Sequence, residues 1–287
     1  MTGMAAVARA DPRPAPLRRL AAHPTGRVGL VFALFVVLVS ILAPLLAPYE
    51  PERIVKVPLQ APSTQHWLGT DELGRDVLSR IVWGGRTSLQ ASVMATCLAL
   101  LVALPFGLTA GYFRGPWDAV VMRLTDTALA FPFIVLAVGL AAILGPSLTN
   151  AALAIGISQV PQMIRVMRGE ALAVREEDYV AASVADGAGS ATIIARHVFP
   201  NVVNTVIVQA TVLMPFAIIT ESMLSFLGLG VQPPTPSWGV MLTAAQAYTA
   251  QAPYLAVFPG VAIFIAALGF NLLGDGLRDV LDPKMSR

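Results

Sequence analysis

Few side chains in this sequence are equipped for covalent chemistry. Its three histidines, His23, His66 and His197, lie far apart and lack the spacing of metal ligands. None sits mid-span, so no Ser–His pair can be assembled, and neither HExxH nor GxSxG occurs. The single cysteine, Cys97, lies in an apolar run, which excludes a disulfide framework. The two lysines, Lys56 and Lys284, follow no GxxxxGK[ST] phosphate loop. The sequence therefore offers no catalytic residue and no metal site, and any ATP this protein uses binds to another chain. The chemistry left is that of charges in apolar surroundings. Glu221 is the only acid between Val202 and Leu273. It lies about 28 Å along a helix that begins at Val202. A charge so placed is costly unless water or a partner reaches it. Facing a translocation path, bonding to a neighbouring helix and reaching the external interface all fit. Arg123 and Asp126, three apart, are expected to pair on one helix face as a structural ion pair.

The elements that position these charges are apolar. Of the 287 residues 56% are hydrophobic and 13% charged, and the net charge of +2 is too small to argue for nucleic acid. A soluble domain carries about 25% charged residues. Apolar runs at 28–47, 88–113, 119–144, 148–164, 202–227 and 254–273 predict an all-α polytopic membrane protein with six transmembrane helices. The first run exceeds the roughly 7–15 apolar residues of a signal peptide and is expected to be a retained helix. Prolines at 105, 132, 161, 215 and 259 permit kinks, and Gly107-x-x-x-Gly111 has the spacing of close helix packing.

Basic residues set the orientation. Arg9, Arg13, Arg18, Arg19 and Arg27, then Arg114 and Arg123, then Arg165, Arg168, Arg175 and Arg196, and finally Arg278, Lys284 and Arg287 fall on one side. Arg53, Lys56, Arg75, Arg80 and Arg86 fall on the other. Both termini are thereby placed in the cytoplasm. The expected organisation is a cytoplasmic tail at 1–27, a first helix at 28–47 and an external segment at 48–85. A core at 86–275 with a cytoplasmic loop at 169–200 and a cytoplasmic tail at 276–287 follow. In the external segment, Leu73, Val77, Leu78 and Ile81 predict an interfacial helix with Arg75 and Asp76 in water. The uncharged, proline-rich middle of 221–241 predicts an ordered external turn or a re-entrant piece.

The cytoplasmic loop is the most legible stretch. Residues 176–186 read as a helix with Tyr179, Val180 and Val184 close to one face. Gly187 stands where a helix ends in a left-handed residue, and Gly189 frees the chain again. Ser190 is expected to cap a second helix carrying Ile193, Ile194 and Val198, which Pro200 stops, unless Pro200 opens the next one.

This loop resembles the cytoplasmic "EAA" loop of ABC importer permeases. The small residues Ala181, Ala182, Ser183 and Ala188, with Asp186 and Gly187 and the ending His197-Val198-Phe199-Pro200, carry the likeness. The family's glutamate falls at Ala181 and its second alanine at Ser183, so the likeness extends to the turn and not to a charge at 181. GTDELGRDVLSR at 69–80, SFLGLGVQPPTPSWG at 225–239 and GFNLLGDGLRDVLDP at 269–283 narrow the resemblance to the peptide/nickel branch and its C-type subunit. The resemblance implies a type I importer permease fold in a bacterial-type plasma or inner membrane, surrounded by lipid. It implies one half of a translocation path shared with a second, homologous permease. Two ATPase subunits, with ATP and magnesium, would dock on the loop, and an extracytoplasmic substrate-binding protein would deliver di- or oligopeptides. The competing class is an ion-coupled secondary transporter or channel acting without an ATPase. It predicts an internal repeat and midplane charges, and neither is evident.

Overall fold

A computed structural model describes residues 20 and 23–281, which are helical apart from turns, loops and two isolated bridges, Ile54 with Arg75 and Thr70 with Asp76. The 1–27 and 276–287 tails therefore lie partly outside the described residues, as do Arg9, Arg13, Arg18, Arg19, Lys284 and Arg287. The chain opens with α1 (Pro24–Ile41) and the one-turn α2 (Ala43–Leu46). After a non-helical segment come α3 (Val77–Phe113), α4 (Gly115–Leu129), α5 (Phe133–Leu144) and α6 (Leu148–Arg175). The loop contributes α7 (Asp178–Ala185) and α8 (Ser190–Ile193), and a π turn at Ile194–Val198 leads into α9 (Phe199–Phe226). A short α10 (Trp238–Ala245) and the long α11 (Tyr254–Leu281) complete the chain.

Three of these helices, α1, α3 and α11, and the run Ser190–Phe226 are long and apolar enough to cross a membrane. The expected span at 119–144 is instead two helices, α4 and α5, bent by 87° at Pro132, and it makes a fifth crossing if counted as one. Prolines 105, 161, 215 and 259 all lie inside continuous helices. Pro132 stands at the N-cap of α5, outside both helices, and the break falls on it. The expected span at 148–164 is part of α6, which has the length but not the apolarity of the others. Its polar Asn150, Ser158, Gln159 and Gln162 are compatible with its position, for α6 packs on α3, α4, α5 and α9 and so presents much of its surface to protein.

The α3–α6 contact is the axis of the bundle. Alanines 91, 95, 99, 103 and 110 of α3 are buried, as are Ala151 and Ala154 of α6. Gly107 and Gly111 meet α6 directly. A Cβ on Gly111 would stand 2.7 Å from both the Ala171 Cβ and the Arg168 carbonyl oxygen. The spacing seen in the sequence is thus a contact through which two backbones approach closely. Helix α1 packs on α11 in the same manner, with Gly26 facing Gly276 and Ala33 facing Gly269.

The segment between α2 and α3 is not the expected surface helix. Arg75 is 6% and Asp76 2% exposed, and Val77 opens α3 fully buried. Asp71 accepts from the Arg75 backbone N–H (2.9 Å) and from Nε of Arg75 (2.6 Å), and it lies 3.3 Å from Nε of Arg80. Asp76 caps α3 through the Ser79 N–H and bonds Nδ1 of His66 at 2.9 Å. The charges satisfy one another, which is the condition for burying them. The Tyr254 hydroxyl lies 3.0 Å from the carbonyl oxygens of both Gln60 and Thr70, joining this segment to α11.

Candidate functional site

The loop between α6 and α9 is held firmly at its base. Val180, Ile193 and Val198 are buried with Leu108 and Tyr112 of α3, Met167 and Ala171 of α6 and Val202 of α9. The faces predicted from the sequence are divided: Val180 points inward, while Tyr179 and Val184 are 42% and 54% exposed. With them Ala181, Ala182, Ala185, Asp186 and Gly187 form an exposed surface of mostly small side chains.

Two local devices fix the shape of this surface. Gly187 has φ +81°, and the chain reverses through a pair of bonds: Gly187 N–H to the Val184 carbonyl and Ala188 N–H to the Ser183 carbonyl, both 3.0 Å. This is the Schellman closure that a left-handed residue after a helix allows. A second tie crosses the turn. The Ser183 hydroxyl donates to the Tyr179 carbonyl (3.0 Å), leaving its lone pairs to accept from Nε2–H of His197 at 3.1 Å. The His197 ring also lies 6.0 Å from that of Tyr179. Partial desolvation and the nearby Glu177 charge push the pKa of the Tyr179 phenol up.

Two expectations for the loop are revised. The first helix begins at Asp178, because Glu176 still ends α6. Ser190 is the first residue of α8 and makes no side-chain cap, since Gly189 occupies the capping position. Pro200 does not stop a helix. It lies in the first turn of α9, directly after the π turn, as the alternative reading had it, and the helical path runs on through it. The second arm of the loop is consequently continuous with the span, and Ser190–Phe226 runs as one rod through the π turn.

Ion pairs that local spacing did not reveal brace the same end of the bundle. Asp126 pairs with Arg165 of α6 at 2.7 Å, and not with Arg123. Asp118 accepts two bonds from Arg168, 2.5 and 2.6 Å. Arg114 pairs with Glu176. Each joins residues 39 to 62 positions apart, whereas sequence spacing exposes only pairs three or four apart.

Glu221 lies toward the other end of the Ser190–Phe226 rod and is fully buried within this chain. Its Oε1 accepts from the Ser225 hydroxyl at 2.8 Å, and Ser88, Ser222 and Ser237 also surround it. Ser88 and Ser225 receive bonds from the N–H groups of Trp238 and Val231. The segment 227–237 is accordingly an ordered turn, and α10 folds back against the bundle. A groove of about 630 Å³ between α1, α3, α9 and α11 is lined by Arg86, Gln90, Met94 and Met214, and Glu221 is not part of its wall. The Glu221 Oε2 is buried without a hydrogen-bond partner among the described residues. Among the described residues no cluster of three or more His, Cys, Asp or Glu side chains could hold a metal.

Comparison with known proteins places this geometry. Residues 103–287 match the family described as binding-protein-dependent transport system inner membrane component. Residues 16–67 match the N-terminal TM domain of oligopeptide transport permease C. The chain is 45% identical over 260 residues to the dipeptide transport system permease protein DppC of Alkalihalophilus pseudofirmus, covering 90% of this chain and 85% of that one. It is 41% identical over 270 residues to the glutathione transport system permease protein GsiD of Pectobacterium atrosepticum and to that of Escherichia coli O157:H7, covering 93% of this chain and 89% of each relative.

Proposed function

From the premise that this chain belongs to the family of binding-protein-dependent transport system inner membrane components, we propose that it is one permease half of an ATP-driven importer of small peptides. A second, homologous permease completes the path, and an extracytoplasmic binding protein delivers the substrate. Two ATPase subunits carrying ATP and magnesium dock on the loop at 169–200. Both termini face the cytoplasm of a cell whose inner membrane holds the complex. The names of the relatives support two substrate classes, dipeptides and the tripeptide-like glutathione.

The observation that carries this reading is mechanical. The loop offers an exposed surface of small side chains on a buried base, and its second arm is the same rod that reaches the far turn at 227. A partner that grips α7 and moves on closing over ATP displaces the base of that rod. A rod of 37 residues, about 55 Å long, transmits such a displacement, where a coil would absorb it.

The test is uptake into vesicles holding both permeases and both ATPases, with binding protein supplied outside. Labelled dipeptide or glutathione should accumulate only with ATP inside, and ionophores that collapse ion gradients should leave the rate unchanged. Uptake driven by an ion gradient without ATPases would instead support the ion-coupled reading. Because Glu221 is buried, Glu221→Gln should lower uptake of a lysine-containing and a neutral peptide by the same factor. A selective loss for the cationic peptide would return Glu221 to the path.

A further inference from the structure

Beside α7, where α3 and α6 end, lies a pocket of about 270 Å³. Phe113, Val180 and Val184 give it apolar walls, Ala181 stands in its lining with no side chain beyond Cβ, and Arg175 is its one charged residue. The Arg175 guanidinium carbon lies 5.7 Å from the centroid of the Tyr112 ring, which holds the group in place as a cation against an aromatic face. Among the described residues the Arg175 side chain has no ion pair and no hydrogen bond, and its Nη1 reaches neither water nor an acceptor. The neighbouring arginines differ: Arg114 holds Glu176, Arg165 holds Asp126 and Arg168 holds Asp118.

The Arg175 side chain lines the pocket with no counter-charge among the described residues, so its charge is left for a group from outside to neutralise. Such a group must accept from a planar cation and neutralise it, and a carboxylate does both. The apolar walls suit the methylenes of an aspartate or glutamate. Around the loop Phe113, Tyr179 and Val184 are 52%, 42% and 54% exposed, a surface suited to being covered by protein. Glu177 and Asp178, exposed at the start of α7, call for cations on whatever covers it.

We propose that this pocket receives an aspartate or glutamate side chain of the ATPase subunit, which pairs with Arg175 and is flanked on its own surface by basic residues. The inference rests on the reading of the loop as the ATPase dock.

The experiment titrates purified ATPase subunit onto the purified permease pair. Arg175→Met, which keeps contact with Tyr112 but removes the charge, should weaken binding about tenfold or more. Arg175→Lys should bind more tightly than Arg175→Met. Ala181→Phe, at an exposed position, should fill the pocket and weaken binding as much, with permease pairing and thermal stability unchanged. Binding lost in Arg175→Glu should return when one acidic residue of the ATPase contact face is changed to arginine. Wild-type affinity in both Arg175→Met and Ala181→Phe would overturn the proposal alone, as would a charge swap that restores nothing at any acidic position. Failure of the wild-type pair to bind any ATPase would overturn the functional reading together with the proposal.

Discussion

Gly111→Val is expected to lower both the yield and the melting temperature of the folded protein. The new Cβ would stand 2.7 Å from the Arg168 carbonyl oxygen, a backbone atom that cannot rotate away, and 2.7 Å from the Ala171 Cβ. Helices α3 and α6 would have to separate along the contact that organises the bundle. Overpacking of this kind costs about 1–3 kcal/mol even where side chains can yield. At the upper end that changes the folded-to-unfolded ratio about a hundredfold. The measurement is the yield of monodisperse protein extracted in mild detergent, with its melting temperature. Gly260→Ala is the control, because nothing lies within 4 Å of a Cβ there, and it should leave both quantities unchanged. A Gly111→Val protein with ordinary yield and melting temperature would contradict the packing described for α3 and α6.

Gly187→Val is expected to do the opposite, sparing the fold and breaking the coupling. No atom lies within 4 Å of a Cβ at 187, so the penalty is purely one of backbone conformation. A β-branched residue at φ +81° costs about 1–2 kcal/mol, equivalent to roughly 5–30-fold in the population of the native turn. The Ser183–His197 tie depends on that turn, and so does the surface formed by Ala181 and Ala182. ATPase retained on the purified complex should fall by about the same factor, with yield and melting temperature unchanged. Gly187→Asn should keep most of the binding, because asparagine tolerates the left-handed region. Equal ATPase retention in the Val variant and the wild type would show that the turn is not required for docking.

The sequence revealed these two sites for a common reason: each is a glycine that its immediate neighbours in the sequence single out. Gly187 follows a helix and precedes a second glycine, and Gly107-x-x-x-Gly111 lies on one face of an apolar helix. Pro200 was legible for the same reason, as a residue that fits the first turn of a helix. What could not be read depends on distant parts of the chain. Asp126 takes Arg165, 39 residues away, over Arg123 on its own helix. Arg75 and Asp76 have partners only four and three positions away, Asp71 and Ser79, yet they look like water-facing charges because the docking of their segment on α11 through Tyr254 does not show in the sequence. The stretch 148–164 reads as a span, but its continuation to Arg175 and the packing of α6 on α3, α4, α5 and α9 do not show in the sequence. Arg175 carried no local signal beyond its charge. Its significance comes from Tyr112, 63 positions earlier, and from a pocket that three separate segments enclose.

The most direct test of the account asks what touches α7 in the working complex. A photo-reactive amino acid at position 182, exposed on α7, and another at position 235, exposed in the turn after α9, would be introduced into the full transporter in native membranes. Illumination at 182 should yield an adduct with the ATPase subunit whose amount changes when ATP is trapped. Illumination at 235 should yield none with the ATPase. An ATPase adduct from 235, or adducts from 182 that contain only lipid or the second permease, would contradict the assignment of the loop as the point through which ATP hydrolysis drives this chain.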